Sequence, residues 1–207
     1  MKKIFLGVYN PSIILTFIGV FCSLCGIGTL MMDNYNNSVN AISIAMILLV
    51  IAGICDMFDG RIARLCKRTE KEKEFGIQLD SLADTVSFVI FPAVILLSMQ
   101  MNIANVIIAM FYIFAGIMRL GWFNVTAEEN KGFYMGLPVT FSALIFPILY
   151  LILQFVILNF ENIIFQIAYA ITAFAFITNF KMKKPGLIFS IVMILVAIGV
   201  IAGILLV

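Results

Sequence analysis

Seven apolar runs, at about residues 11–32, 39–57, 77–99, 103–123, 136–158, 162–180 and 186–207, account for most of the chain. Each is near the ~20 residues that a helix needs to cross the hydrocarbon core of a bilayer, where every backbone N–H and C=O must find its partner within the segment. Composition agrees: 63% of the 207 residues are hydrophobic, only 12% are charged and the mean hydropathy is +1.14. A soluble domain carries roughly one charged residue in four. The chain therefore reads as an all-α integral membrane protein, a polytopic transmembrane helix bundle of about seven spans. The second run has the least defined end, because its helix continues into charged sequence, and counts of six or eight spans also fit.

The basic residues orient the bundle. All thirteen fall in four clusters: Lys2 and Lys3; Arg61, Arg64, Lys67, Arg68, Lys71 and Lys73; Arg119 and Lys131; Lys181, Lys183 and Lys184. With seven spans these clusters share one side, and the opposite connections (33–38, 100–102 and 159–161) hold none. The positive-inside rule makes the basic side cytoplasmic and predicts a cytosolic N-terminus. Lys2 and Lys3 before an apolar run imitate a secretory leader, but no small-residue cleavage site follows, and the run is read as a retained first span.

No long linker, low-complexity segment or internal repeat interrupts residues 1–207, which are read as one membrane domain. Lys67–Glu74 (KRTEKEKE) reads as a solvated loop or the extended end of a helix, and Lys181–Pro185 as a turn. Tyr9, Trp122 and Tyr134 lie near span boundaries, where amphipathic rings anchor. Cys22 and Cys25 form a CxxC inside the first span, without the second pair or histidine that a zinc site needs, and read as packing thiols.

One stretch breaks the apolar pattern with chemistry. In Asp56-Met-Phe-Asp-Gly-Arg-Ile-Ala-Arg64, Asp56, Asp59, Gly60, Ala63 and Arg64 share one helix face. On the third span Gly76, Asp80, Asp84 and Ser87, at spacings of four, four and three, also share a face. Consecutive spans joined by a short loop are neighbours, so the two faces are expected to meet and bring four carboxylates together. Burying one uncompensated charge costs several kcal/mol, and Arg64 alone does not balance four acids. Oxygen-only ligands without His or Cys point to hard divalent cations, Mg²⁺, Mn²⁺ or Ca²⁺. Carboxylates bridging two such ions form the clamp used for displacement at a diphosphate. Taken singly, Gly60, Ala63 and Gly76 fit equally well as small residues at a helix contact.

The combination Asp56-x-x-Asp59-Gly60-x-x-Ala63-Arg64, followed by Gly76-x-x-x-Asp80-x-x-x-Asp84, resembles the signature of the CDP-alcohol phosphotransferases, with every fixed position present. The eleven residues between Arg64 and Gly76 are slightly more than that family usually places there. The resemblance implies a transferase that cleaves a CDP-linked alcohol, passes the phospho-alcohol to a hydroxyl and releases CMP. It further implies that Asp56, Asp59, Asp80 and Asp84 hold two divalent cations, with Asp84 also serving as the base that takes the acceptor's proton. Asp56, Gly60, Ala63, Arg64 and Gly76 would line the CDP pocket.

Asp80-Ser-Leu-Ala-Asp-Thr-Val-Ser-Phe88 resembles the serine-using branch of that family, the phosphatidylserine synthases, and so do Arg119-Leu-Gly-Trp-Phe-Asn124 and Gly132-Phe-Tyr-Met-Gly-Leu-Pro138. Gly121-Trp122 and Val89 depart from the branch's pattern. The neutral Thr85 after the last aspartate argues against a phosphorylated acceptor, since a phosphate dianion needs several prearranged cations. Arg119, Asn124 and Lys131 are the candidate acceptor-binding residues, Arg119 clamping a carboxylate or else serving as a snorkelling anchor. The implied donor is CDP-diacylglycerol or an ether-lipid equivalent, and the implied assembly a homodimer. No nucleic-acid partner is expected. Glycerol 3-phosphate or inositol phosphate as acceptor is the alternative within this chemistry. A cation transporter is the alternative outside it, disfavoured because the acids crowd the ends of two spans instead of mid-membrane.

Overall fold

The computed structural model describes residues 11–36, 40–66, 68–126, 133–156, 161–183 and 186–206. Each apolar run is a helix: α1 (Pro11–Asn36), α2 (Ala41–Leu65), a rod made of α3 (Glu70–Asp84), a π-turn (Thr85–Ile90) and α4 (Phe91–Met99), then α5 (Ile103–Thr126), α6 (Ser142–Phe155), α7 (Glu161–Ile177) and α8 (Leu187–Leu206). Five of these stretches are long and apolar enough to cross a membrane; Val139–Phe155 and Glu161–Ile177 are shorter apolar helices. Short strands β1 (Phe133–Met135) and β2 (Lys181–Lys183) pair antiparallel, Phe133 opposite Lys183.

Three local features depart from the predicted runs, each for a physical reason. The charged stretch after α2 is the start of α3, because Thr69 and Glu72 form a reciprocal capping box: Thr69 Oγ1 accepts from Glu72 N–H at 3.3 Å and Thr69 N–H donates to a Glu72 carboxylate oxygen at 2.8 Å. The run predicted to begin at 136 becomes helical only at Val139. Gly136 adopts φ +71, its N–H donates to Phe180 O and Leu137 N–H donates to Ala175 O, so residues 136–138 are laid across the end of α7. Lys181–Lys183, predicted as turn, pairs as β2 on the same clamp.

A further departure is the π-turn. Pro92 has no N–H, so the carbonyl of Phe88 four residues earlier loses its helical donor. Tyr112 OH from α5 donates to that carbonyl at 2.8 Å and Ser142 Oγ from the start of α6 at 3.3 Å. Phe91 N–H then reaches back five residues to Val86 O, the π spacing. Tyr169 OH from α7 donates to Pro92 O at 2.7 Å, and its ring stacks on Phe146 with centroids 3.8 Å apart. The core thus condenses around the rod: Phe88, Phe91, Tyr112, Phe146, Tyr169 and Phe176 are all buried.

At the other end of α4 an amide network replaces apolar packing. Asn105 is fully buried and donates to the carbonyls of Leu96 and Gln100 and to Asn162 Oδ1, while Gln166 Nε2 donates to its Oδ1. Asn162 also bonds Gln100. These bonds tie the α4–α5 turn to the start of α7. All four cysteines are free thiols, Cys25 exposed on α1. Trp122 is exposed, as its predicted anchoring role requires, and Tyr9 lies outside the described residues.

Helix contacts are set by small residues. A Cβ on Gly26 would stand 2.2 Å from Cζ of the buried Phe91 ring, whereas one on Gly28 of the same helix meets nothing within 4 Å. Gly26→Ala is expected to destabilise by the ~1–3 kcal/mol typical of an overpacked core. Gly28→Ala should be neutral or stabilising, by up to the ~1 kcal/mol that alanine gains over glycine in a helix. Thermal unfolding in detergent compares the two, and equal midpoints would remove the contact assigned to Gly26.

Candidate active site

α1 packs along α2 and also touches α3, whereas α2 meets the rod mainly at the π-turn and α4. The acid-bearing ends of α2 and α3 therefore converge without packing face to face. One carboxylate oxygen each of Asp56, Asp80 and Asp84 lie within 4.8 Å of one another. The predicted convergence holds for these three.

Asp59 stands apart from that set. It is 6% exposed, and Thr16 Oγ1 of α1 donates to its Oδ2 at 2.7 Å. Its charge still acts on Asp56, Asp80 and Asp84. Behind the acids a cavity of about 10 Å³, the room of one water, is lined by Thr16, Asp56, Asp59, Asp84 and Ser87. Thr16 carries no signal in the sequence, since a lone threonine in an apolar run is ordinary. Only the three-dimensional pairing of α1 with α2 gives it a role.

The motif glycines differ from the contact glycines. A Cβ on Gly53 would lie 2.6 Å from Ala143 Cβ, and one on Gly116 2.7 Å from Val89 Cγ2: these are true helix contacts. Among the described residues a Cβ on Gly60 meets nothing within 4 Å, and one on Gly76 meets only Arg68 Nη1 at 3.4 Å. Gly60 therefore opens space beside the acids instead of admitting a neighbouring helix. Ala63 is partly exposed on the same face; Arg64 belongs to α2, but its side chain lies outside the described residues.

A cavity of about 510 Å³ opens from this space. Asp56, Asp59, Asp80, Gly60 and Arg61 form its polar wall with Tyr134 and Thr140 opposite, and it continues between α2, α6 and α8 along Val50, Ile54, Leu144, Phe189 and Met193. One end is thus acidic and the other greasy. Tyr134, predicted as a boundary anchor, lies on this wall and packs against Phe123, the ring over which the Arg119 guanidinium lies. Its position depends on the β1–β2 pairing, which leaves no periodic trace in three-residue strands.

Arg119 is 6% exposed; its Nε donates to Leu137 O at 3.2 Å and its guanidinium lies over the Phe123 ring, 5.3 Å from the centroid. A snorkelling anchor keeps its head in water, so burial removes that reading. No carboxylate pairs with it among the described residues. Asn124 Oδ1 accepts from Ser81 Oγ at 2.9 Å, beside Asp80. Lys131 lies outside the described residues.

The acids fit a hard divalent cation. Oxygens bound to one Mg²⁺ or Ca²⁺ stand no more than roughly 4–5 Å apart, and one oxygen each of Asp56, Asp80 and Asp84 lies within 4.8 Å of the others. No basic side chain among the described residues pairs with them; the ion pair found there is Lys73–Glu70, at 2.7 Å. These residues would hold the ion, with Asp59 beside them.

Gly60 and Gly53, both on α2, separate ligand space from helix contact. Gly60→Ala should leave the unfolding temperature unchanged or raised while weakening ligand binding tenfold or more. Gly53→Ala should lower the unfolding temperature. Thermal unfolding with and without CMP reads both effects, and a Gly60→Ala protein that binds CMP like wild type would return Gly60 to ordinary packing.

Comparison with known proteins agrees with this geometry. The chain is 34% identical over 118 residues to the archaetidylserine synthase of Methanothermobacter thermautotrophicus, covering 56% of this chain and 48% of that protein. It is 36% identical over 129 residues to the CDP-diacylglycerol–serine O-phosphatidyltransferase of Saccharomyces cerevisiae, covering 57% of this chain and 45% of the yeast protein. The enzyme of the same name from Bacillus subtilis is 29% identical over 144 residues, 68% of this chain and 75% of the relative. The chain thus spans about half the length of the first two relatives. The CDP-alcohol phosphatidyltransferase family model matches residues 9–205, from before α1 to the end of α8 with every acid of the site inside it, and the chain belongs to that family.

Proposed function

We propose that this protein transfers the phosphatidyl group of CDP-diacylglycerol, or of its ether-lipid equivalent, to the hydroxyl of L-serine and releases CMP. The observation that carries this reading is the convergence of Asp56, Asp80 and Asp84 beside the open space at Gly60, at the mouth of a cavity whose far end is apolar. The names of the relatives support serine as the acceptor.

The reaction exchanges a phosphoanhydride bond for a phosphoester bond. The serine oxygen forms a bond to the lipid-side phosphorus, the bond from that phosphorus to the bridging oxygen breaks, and CMP leaves with the electron pair. Asp56, Asp59, Asp80 and Asp84 would hold two divalent cations, Mg²⁺ or Mn²⁺ with Ca²⁺ also fitting the oxygen ligands, which would supply charge neutralisation at the diphosphate. Asp84, at the last turn before the π-turn, takes the serine hydroxyl proton. Thr16 holds Asp59 in one orientation, so this carboxylate is not free to collapse onto its neighbours. Gly60, Ala63, Arg64 and Gly76 form the nucleotide side of the pocket, and the groove between α2, α6 and α8 receives the lipid chains.

Arg119 fits the acceptor's carboxylate. A buried guanidinium without a counter-charge is destabilising, and a bidentate carboxylate is its natural partner. Tyr134, through Phe123, connects it to the acid-lined cavity, and Asn124, held by Ser81, flanks the same side. Lys131 completes the candidate acceptor set. The basic residues put this end of the bundle on the cytoplasmic face, and the family resemblance favours a homodimer.

Two outcomes are expected. Asp56→Asn and Asp59→Asn should each lower turnover more than a hundredfold and weaken the divalent-ion dependence, since metal charge stabilisation is worth several kcal/mol. The assay is CMP release by purified protein given one CDP-lipid with serine, glycerol 3-phosphate or inositol phosphate in turn. Full turnover in both variants sinks the metal roles, and preference for a phosphorylated alcohol sinks serine. Arg119→Ala should raise the serine KM roughly ten- to a hundredfold, the loss of a charge-assisted hydrogen bond, while the CDP-lipid KM stays unchanged. An unaltered serine KM would shift the acceptor site towards Asn124 and Lys131.

A further inference from the structure

Arg68 occupies the short connection between α2 and α3, outside the signature positions and without an assigned role. Among the described residues, and apart from the backbone of α3 itself, its Nη1 is what stands within 4 Å of where a Gly76 side chain would begin, at 3.4 Å. Its Nε is screened from solvent and has no hydrogen-bond partner among the described residues. Three glutamates lie close in sequence, yet two are engaged elsewhere: Glu70 pairs with Lys73 and Glu72 closes the cap on Thr69. No ion pair engages Arg68 among the described residues. A screened donor without a partner is destabilising unless something supplies the acceptor.

The neighbourhood indicates what that acceptor is. Gly76, Asp80 and Asp84 follow one another at single turns along one face of α3, each step about 6 Å, so the guanidinium sits roughly one turn beyond Asp80. An amphiphilic donor bound at the acids has only one orientation available. The apolar residues Val50, Ile54 and Met193 line the cavity, and Val50 and Ile54 precede Asp56 on α2, so the chains run that way. The nucleotide then points the other way, towards Gly60 and Gly76, into the space over which Arg68 lies.

We propose that Arg68 is a further donor-binding residue, whose guanidinium, lodged over Gly76 one turn from Asp80, donates hydrogen bonds to the phosphate of the bound nucleotide. This rests on the CDP-linked reading above and adds to it a contact outside the signature. Arginine suits the position because its fork of donors serves two phosphate oxygens at once.

The test uses full-length protein in detergent with Mg²⁺ and measures binding of CMP and of cytidine by calorimetry, with thermal unfolding as a check on folding. Arg68→Ala is expected to weaken CMP binding ten- to a hundredfold, to change cytidine binding less than twofold, and to leave the serine KM unchanged. If the alanine variant unfolds, Arg68→Gln, which keeps the stem and removes the charge, is expected to show the same split. Either folded variant binding CMP like wild type overturns the inference alone. Equal weakening of CMP and cytidine also overturns it, because the contact is then to the base or to the fold. Wild-type protein that binds no CMP overturns the donor reading and this inference together.

Discussion

Like charge at close quarters is the constraint to which the rest of this molecule answers. Three carboxylates with oxygens inside 4.8 Å repel by about 3–4 kcal/mol per ionised pair at an effective dielectric near 20. Three such pairs rival the ~5–15 kcal/mol by which a whole domain is stable. An arrangement of that kind persists only when the scaffold enforces it and a cation or a shared proton offsets it. The scaffold's contribution is visible. α1 braces both acid-bearing helices, Thr16 ties down the Asp59 carboxylate, and the buried aromatic core grips the rod just beyond Asp84.

That grip depends on a defect. Pro92 deprives the Phe88 carbonyl of its helical donor, and Tyr112 and Ser142 replace it from two other helices. In lipid an orphaned carbonyl costs more than in water, so its partners are not optional. One hydrogen-bonded point therefore joins α4, α5 and α6, and the π-turn it stabilises begins directly after Asp84. The register of Gly76, Asp80 and Asp84 on one side of the turn is thereby fixed relative to the packing on the other. Pro92 thus connects the chemistry of α3 to the fold of the remaining bundle.

The architecture was legible because hydropathy in a bilayer is nearly a statement of structure: every one of the seven runs is a helix. The acid convergence was legible for a similar reason, since spacings of three and four place side chains on one face whatever the tertiary fold. What escaped was local or distant. The capping box at Thr69-x-x-Glu72 was present in the sequence but masked by the surrounding charge, which reads equally as loop. The π-turn needs the knowledge that Tyr112 and Ser142 arrive at Phe88, and nothing within a helix's own sequence announces a partner on another. Thr16 drew no reading, and Tyr134 only that of a boundary anchor, on the same ground: Thr16 bonds Asp59, 43 positions away, and Tyr134 packs on Phe123, the ring under Arg119.

The glycines show where such reading stops. Gly26, Gly53, Gly60, Gly76 and Gly116 are indistinguishable in one-dimensional terms, each a small residue in a spanning helix, and the usual reading in a membrane protein is close helix packing. Three of the five do that, filling the gap with Phe91, Ala143 or Val89. The remaining two face an opening and an arginine. In a helix glycine costs about 1 kcal/mol relative to alanine; at a contact the gain in packing offsets this within the free protein. At Gly60 an added Cβ would meet nothing within 4 Å among the described residues, so the glycine there leaves room beside the acids instead of admitting a helix. That distinction exists only once the helices are placed side by side.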